Sequence, residues 1–161
     1  MADGPYARIL VPLDFSDSSR RALGEALRLA QSARARLRLV HAYQLPIVPP
    51  GAGATAAGAP NAMAVPRLDE SMREAASQAL EREAEGVRAE GLEVEIEVGT
   101  GPPAHFIVES ARAWPADLVV MGTRGATGLA HVLLGSVAER TIRNAPCPVL
   151  TVREPEEAEA E

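Results

Sequence analysis

The sequence predicts an α/β fold in which five parallel strands form an open, doubly wound sheet. Apolar segments of strand length alternate with segments whose apolar residues recur at helical spacing, and this alternation continues through the 161 residues. Strands that alternate with helices form a parallel sheet with right-handed crossovers and helices on both faces. A chain of this length is expected to form one domain with its own core.

The first two predicted strands enclose a helix. The first strand covers residues 8–13, of which 9–13 are apolar, and Ser16 or Asp17 is the expected N-cap of the helix that follows. The second strand covers residues 36–43. The helix between them carries small and apolar residues on one face at Ala22, Leu23, Ala26, Leu27 and Ala30.

Residues 45–66 have a different composition. Pro, Gly and Ala dominate this segment and no apolar period is present, which predicts a long flexible loop. Loops of this length are usually functional or disordered, so a lid over a ligand and a disordered linker both fit. A long helix over residues 67–90 follows, with its inner face at Leu68, Met72, Ala75, Ala76, Ala79, Leu80, Ala84 and Val87.

The remaining elements complete the alternation. Residues 92–98 alternate apolar residues with Glu, which is typical of an edge strand protected by charge. After a short helix over 104–113, residues 117–121 form a strand that is buried on both faces. The chain ends with a helix, a fifth strand and an acidic tail that has too few apolar residues to fold, over 136–144, 148–152 and 154–161.

A glycine pattern follows the buried fourth strand. Gly122 and Gly125 are separated by two residues, and nine further residues lead to Gly135 and Ser136. Glycine allows a close approach between the backbone and a bound group, while the start of a helix presents unpaired N–H groups and a favourable dipole to an anion. The pattern therefore predicts a phosphate site. Turn glycines without a ligand, and Ser136 as a simple N-cap, are the structural alternatives.

Asp14 follows the first strand. In open α/β sheets, ligands bind outside the carboxyl ends of the strands, which is where this carboxylate lies. Asp14 is therefore expected to hold a ribose hydroxyl. The alternative is that it caps the first helix, although Ser16 and Asp17 already serve that need.

Four segments in this order resemble the universal stress protein family. Its ATP-binding members carry glycine, two residues, glycine, nine residues, then glycine with serine or threonine, and all of these spacings match. The resemblance covers residues 5–153 and is carried by Val11–Ser16, Leu39–Ala42, Gly122–Ser136 and Ala145–Leu150. It implies the three-layer, Rossmann-like, adenine nucleotide α-hydrolase-like fold with strand order 3-2-1-4-5, in which the first and fourth strands meet at the topological switch point.

The resemblance also implies which residues bind ATP. Its adenosine would lie at Pro12, Leu13 and Asp14. The adenine would contact Ala42, where many family members have valine, so the base pocket is slightly wider here. Mg²⁺ or Mn²⁺ would accompany the phosphates. Met121 and Gly122 would close over the ribose. The residues near the phosphates would be Arg124, Gly125, Gly135, Ser136 and Val137.

Composition excludes several other functions. All 16 basic residues are Arg, so neither a P-loop nor a lysine Schiff base is available. The formal net charge is −6, and −2 without residues 153–161, which hold one Arg and five Glu. A body of this charge lacks the basic footprint of nucleic-acid binding. The cluster of Arg34, Arg36 and Arg38 is predicted to be a solvated edge.

The other reactive side chains are interpreted as structural. His41 ends the second strand, and His105 and His131 lack metal-ligand spacing. Cys147 is expected to be a small buried hydrophobe, and Trp114 to pack the third helix against the sheet. No local pattern predicts a catalytic residue, and no carboxylate cluster forms a dedicated metal cage.

The leading functional prediction is a cytoplasmic, ATP-binding regulatory protein of the stress response, with no membrane segment and no disulfide. The resemblance further implies a homodimer through residues 148–152. Two alternatives are a slow ATPase of the same fold and an interaction module that no longer binds nucleotide.

Overall fold

The computed structural model describes residues 5–47, 64–124 and 134–153. Strands and helices alternate along the described chain. The elements are β1 (Arg8–Pro12), α1 (Asp17–Ala33), β2 (Arg36–Tyr43), α2 (Ala64–Ala89), β3 (Val94–Thr100), α3 (Pro103–Ala113), β4 (Leu118–Gly122), α4 (Ser136–Asn144) and β5 (Val149–Val152).

The strands form one sheet in the order β3-β2-β1-β4-β5, and each neighbouring pair is parallel. This confirms the predicted fold class and strand order. Because β1 is followed in space by β2 on one side and by β4 on the other, the strand order reverses between β1 and β4. This is the topological switch point of the sheet.

Two apolar cores lie on opposite faces of the sheet, because successive side chains of a strand point to opposite sides. Ile9 and Val11 pack in one core with apolar residues of α1 and α2. Leu10 lies in the other core, with apolar residues of α3 and α4. All five residues of β4 are buried, as its apolar run predicts. Trp114 is part of the second core and joins the end of α3 to the sheet, as expected.

Several element boundaries differ from the predicted ones. Residues 64–66, predicted as loop, are helical because α2 begins at Ala64. Gly99 and Thr100 belong to β3 because they pair with the last two residues of β2. Residues 48–63 of the predicted loop and the tail 154–161 lie outside the described residues.

The inner face of α2 is shorter than its apolar pattern predicts. Ala76, Leu80, Ala84 and Val87 are buried, whereas Leu68 is 40% exposed. Ala75 is exposed as well. The helix therefore packs on the sheet mainly through its C-terminal half. No helix within the three described ranges is long and apolar enough to cross a membrane.

Arg38 corrects the prediction that the arginine cluster is a solvated edge. Its side chain is only 19% exposed and forms ion pairs with Glu95 (2.5 Å) and Glu97 (3.2 Å) on the neighbouring strand. Its guanidinium carbon also lies 4.8 Å from the centre of the Trp114 ring. Sequence reasoning missed these contacts because they depend on the register of β2 against β3. Arg34 and Arg36 are exposed, as predicted.

Candidate functional site

A cavity of about 260 Å³ opens at the carboxyl ends of β1 and β4. It lies at the switch point, where open α/β sheets bind ligands. Ten of the eleven predicted site residues line this cavity, and Gly125 lies outside the described residues. The ten are Pro12, Leu13, Asp14, Ala42, Met121, Gly122, Arg124, Gly135, Ser136 and Val137.

The loop between β1 and α1 forms one side of the cavity. The Asp14 carboxylate accepts hydrogen bonds from the backbone N–H (3.0 Å) and the hydroxyl (2.5 Å) of Ser16. Ser16 is the N-cap of α1, and its Oγ accepts from the backbone N–H of Ser19 at 3.2 Å. Asp14 therefore positions Ser16 and is not itself the N-cap of α1. The alternative that Asp14 caps the first helix is wrong.

The β4 side brings the two halves of the glycine pattern together. The backbone N–H of Gly135 donates to the carbonyl of Thr123 at 2.6 Å, and the N–H of Thr123 donates to the carbonyl of Val152 at 3.2 Å. Thr123 is buried between these contacts. As a result, the start of α4 lies directly beside the end of β4, and both face the cavity.

The first turn of α4 presents unpaired backbone donors. Gly135 is the N-cap, so Ser136 is the first helical residue and not the N-cap, and no side chain of the described residues caps this end. The N–H groups of Ser136, Val137 and Ala138 precede the first intrahelical bond, which Glu139 donates to Gly135 at 2.9 Å. These donors and the helix dipole favour an anion at the cavity.

Gly122 has a packing role that the glycine spacing alone did not reveal. A Cβ atom at this position would lie 2.9 Å from the carbonyl carbon and 3.0 Å from the carbonyl oxygen of Ser18, and would contact the Ser18 hydroxyl. The absence of a side chain therefore allows the first turn of α1 to pack against the end of β4. This contact does not depend on a ligand.

Part of the lining forms an apolar wall of the cavity. Val40, Ala42 and Met121 contribute from the strands, and Ala138 from α4. Pro103 and Ile107 on α3 also line it, and sequence reasoning missed them. Their spacing of four residues places them on one face of α3, and this spacing was the sequence signal that could have indicated them. Nothing in the local sequence connects that face with β1 and β4. Ser19, Val40, Thr123 and Ala138 were missed as well.

His41 lies on the cavity wall at the end of β2 and contacts the β1–α1 loop. Its Nδ1 is 2.7 Å from the carbonyl oxygen of Leu13. Its ring centre is 4.7 Å from that of Phe15, with 39° between the ring planes. These contacts agree with the structural role predicted for this histidine.

Comparisons with known proteins identify the family. The profile of the universal stress protein family matches residues 5–153. The chain belongs to the universal stress protein family. A universal stress protein of Methanocaldococcus jannaschii is 39% identical over 150 residues, which cover 93% of this chain and 84% of the relative. One from Synechocystis is 35% identical over 153 residues, which cover 92% and 98% of the two chains.

Solved structures of the same family share the fold. The universal stress protein UspA from Lactobacillus plantarum has a TM-score of 0.76 at 26% identity, covering 94% of this chain and 100% of that one. A universal stress protein in complex with cAMP has a TM-score of 0.64 at 30% identity, covering 95% and 98% of the two chains.

Asp14 and Arg124 supply the fully charged side chains among the described residues that line the cavity of this family member. Within the described ranges, no three His, Cys, Asp or Glu side chains are grouped so that they could hold a metal ion. His131 lies outside these ranges. Cys147 packs against the second core and burial raises the pKa of its thiol, but the side chain is only partly buried, less than predicted.

Proposed function

We propose that this universal stress protein binds ATP and acts as a nucleotide-dependent regulatory protein in the stress response. The observation that carries the proposal is that a single cavity combines an apolar wall with the uncapped start of α4. This combination suits a ligand with an apolar ring at one end and anionic groups at the other. The related structure in complex with cAMP supports an adenine nucleotide.

Each of the eleven predicted site residues has a role in this proposal. The base contacts the apolar wall at Ala42, with Pro12 and Leu13 beside the adenosine and Met121 and Gly122 beside the ribose. Asp14 accepts a hydrogen bond from a ribose hydroxyl. The phosphates lie at the glycine loop and the first turn of α4, among Arg124, Gly125, Gly135, Ser136 and Val137. Backbone N–H groups supply most of the donors.

The divalent ion belongs to the nucleotide in this proposal. Mg²⁺ is usually held by substrate phosphates, waters and one or two carboxylates, and does not require a dedicated protein cage. We therefore propose Mg²⁺ or Mn²⁺ as a companion of the ATP phosphates. We also propose a homodimer through β5 and, because a single cysteine cannot form an internal disulfide, a location in the cytoplasm.

Calorimetric titration of nucleotide-free protein tests the proposed ligand. ATP, ADP, AMP and cyclic AMP are titrated separately in the presence of Mg²⁺. A saturable heat with ATP is expected, and flat traces for all four nucleotides would contradict the proposal. Phosphate release measured on the same samples distinguishes simple binding from the slow ATPase.

The matched variants are Asp14→Asn and Glu109→Gln. Asp14→Asn removes the charge from the ribose contact while keeping an acceptor for Ser16, so ATP affinity should fall by about 10-fold or more, as for a lost charge-assisted hydrogen bond worth ~1.5–3 kcal/mol. Glu109 lies on α3 and pairs with Arg112 at 2.6 Å, outside the cavity. Its variant should bind ATP like the wild type, and equal affinities for both variants would remove Asp14 from the site.

A further inference from the structure

The chain leaves the sheet after β1 while still attached to β2. The backbone N–H of Leu13 donates to the carbonyl of Val40 at 2.8 Å, which extends the parallel ladder one residue beyond β1. A regular ladder would satisfy the Leu13 carbonyl with a backbone N–H of β2. In this structure the ring of His41 contacts that carbonyl, with Nδ1 at 2.7 Å.

The partner of Nδ1 determines which nitrogen of the neutral ring carries the proton. A carbonyl oxygen only accepts hydrogen bonds, so Nδ1 must carry the proton. In the neutral ring Nε2 is then the unprotonated nitrogen. The contact therefore selects one tautomer of His41, and this choice can be measured without any ligand.

Phe15, which follows Asp14 in the sequence, also contacts the His41 ring. Its φ angle is 64°, in the left-handed region that non-glycine residues rarely adopt. Its ring lies 4.7 Å from the His41 ring, a separation typical of paired aromatic rings. The ring contact thus stabilises an otherwise unfavourable turn immediately after Asp14.

Asp14 lies between the two residues that His41 holds. Leu13 is hydrogen-bonded to the His41 ring, Phe15 packs against it, and the Asp14 carboxylate is also fixed by Ser16. We propose that His41 is a positioning residue that directs Asp14 toward the ribose, and that the preference for ribonucleotides over deoxyribonucleotides depends on it. This inference rests on the proposed nucleotide binding.

A direct contact between His41 and the base or the phosphates is the competing explanation, because His41 also lines the cavity. The two explanations predict different patterns of affinity. Loss of a positioning residue for Asp14 weakens only nucleotides that carry the ribose hydroxyl. Loss of a direct contact with the base or phosphates weakens every nucleotide by the same factor.

The first test titrates ATP, 2′-deoxy-ATP and 3′-deoxy-ATP into the wild type and into His41→Phe. Phenylalanine keeps a ring against Phe15 but has no donor for Leu13. The wild type should bind ATP about 10-fold more tightly than at least one deoxy analogue, as for a charge-assisted hydrogen bond. In His41→Phe this ratio should approach one, with the affinity for that analogue unchanged.

Two further variants complete the comparison. His41→Asn restores a side-chain N–H donor for the Leu13 carbonyl, so the preference for ATP should return at least in part. His105→Phe is the control, because His105 is exposed on α3 and does not line the cavity. It should keep the wild-type ratio.

The second test needs no nucleotide. A proton–nitrogen correlation spectrum of the wild-type imidazoles, assigned by comparison with His41→Phe, should show the Nδ1–H tautomer for His41. An Nε2–H tautomer would overturn the inference. A ratio unchanged in His41→Phe, or a wild type that binds ATP and both deoxy analogues equally, would overturn it while leaving ATP binding intact. Flat traces for the wild type would overturn the proposed function and the inference together.

Discussion

At the scale of single residues, the glycines of one motif have different physical roles. Gly122 ends β4 and lacks a side chain where the first turn of α1 approaches. Gly135 is instead the N-cap of α4 and donates to Thr123. A spacing pattern treats these positions as equivalent, but in the structure Gly122 leaves space for the backbone of Ser18 and Gly135 begins a helix.

Replacing Gly122 with alanine should therefore destabilise the protein even without a ligand. The added Cβ meets the backbone of Ser18, which cannot move without shifting α1. We expect a loss of about 1–3 kcal/mol in the free energy of unfolding, as for other overpacked sites. Urea denaturation measures this change.

Gly86→Ala is the matched control for this experiment. Gly86 lies inside α2, and a Cβ there would meet nothing within 4 Å. Alanine should stabilise the helix by about 0.5–1 kcal/mol. Equal changes in the free energy of unfolding for Gly122→Ala and Gly86→Ala would show that the contact with Ser18 does not destabilise the Gly122→Ala variant.

The two serines at helix starts should separate stability from ligand binding. Ser16 caps α1 through its hydroxyl, so Ser16→Ala should cost about 0.5–2 kcal/mol. Ser136 is exposed at the first position of α4, where its hydroxyl does not cap the helix. Ser136→Ala should leave stability within about 0.5 kcal/mol of the wild type and weaken ATP binding.

Thermal unfolding and calorimetric titration of both serine variants test this separation. A large loss of stability in Ser136→Ala would show that its hydroxyl supports the helix. An unchanged ATP affinity in that variant would remove the hydroxyl from the phosphate site.

At the scale of elements, Arg38 connects β2, β3 and the end of α3 on the face of the sheet that carries the second core. From β2 it pairs with Glu95 and Glu97 on β3 and lies over Trp114 at the end of α3. Glu97 also accepts a hydrogen bond from the buried Ser110 hydroxyl on α3. A largely buried guanidinium thus links the edge strand to the helix that covers it.

Arg38→Met should weaken this link. Methionine keeps most of the apolar volume but leaves Glu97 with one partner fewer in a partly buried place, so we expect a loss of about 1–3 kcal/mol. Arg36→Met is the control. Arg36 and Glu93 have side chains 64% and 72% exposed, so removing their ion pair should change stability by less than about 0.5 kcal/mol.

Denaturation followed by Trp114 fluorescence suits both variants, because Trp114 is the single tryptophan and the Arg38 guanidinium carbon lies 4.8 Å from the centre of its ring. A folded-state emission that changes in Arg38→Met but not in Arg36→Met is expected. Similar, small losses of stability in Arg38→Met and Arg36→Met would show that Arg38 stabilises the protein no more than an exposed ion pair does.

The existence of the helices and strands could be predicted from the sequence better than the positions of their ends. The period of apolar residues depends on one segment and its burial, so the runs of β1 and β4 were sufficient to predict strands. Gly99 and Thr100 extend β3 only because Ala42 and Tyr43 lie opposite them. The start of α2 similarly lies near Tyr43, whose hydroxyl donates to the Asp69 carboxylate at 2.6 Å. Such contacts join residues that are distant in sequence.

At the scale of the whole molecule, the same distinction applies to the cavity. Asp14 and the glycine pattern could be predicted because each follows a recognisable strand, and parallel strands of this topology bring their carboxyl ends together. Pro103, Ile107 and Ser19 could not, because their places on the wall depend on how α3 and α1 pack on the sheet. The contact of His41 with Leu13 likewise requires two neighbouring strands in register.

The two edges of the sheet lead to the last prediction, because they differ in chemistry. β3 carries Glu93, Glu95 and Glu97 beside it or within it, and charge of this kind discourages pairing with another chain. Among the strands of residues 5–47, 64–124 and 134–153, β5 pairs with β4 alone and so lies at the edge of the sheet. Leu150 is 38% exposed on β5 and Ile142 is 46% exposed on α4. A homodimer through β5 would cover this apolar edge.

We therefore expect sedimentation of the wild type at micromolar concentration to show a dimer, and Leu150→Lys to shift it toward monomer. A two-fold interface contains the same residue from both copies, so the substitution would place two lysines in an apolar contact of each dimer. Val65→Lys is the control, since Val65 is 49% exposed on α2, far along the chain from β5. A monomeric wild type would contradict the dimer, and a dimeric Leu150→Lys would place the interface elsewhere.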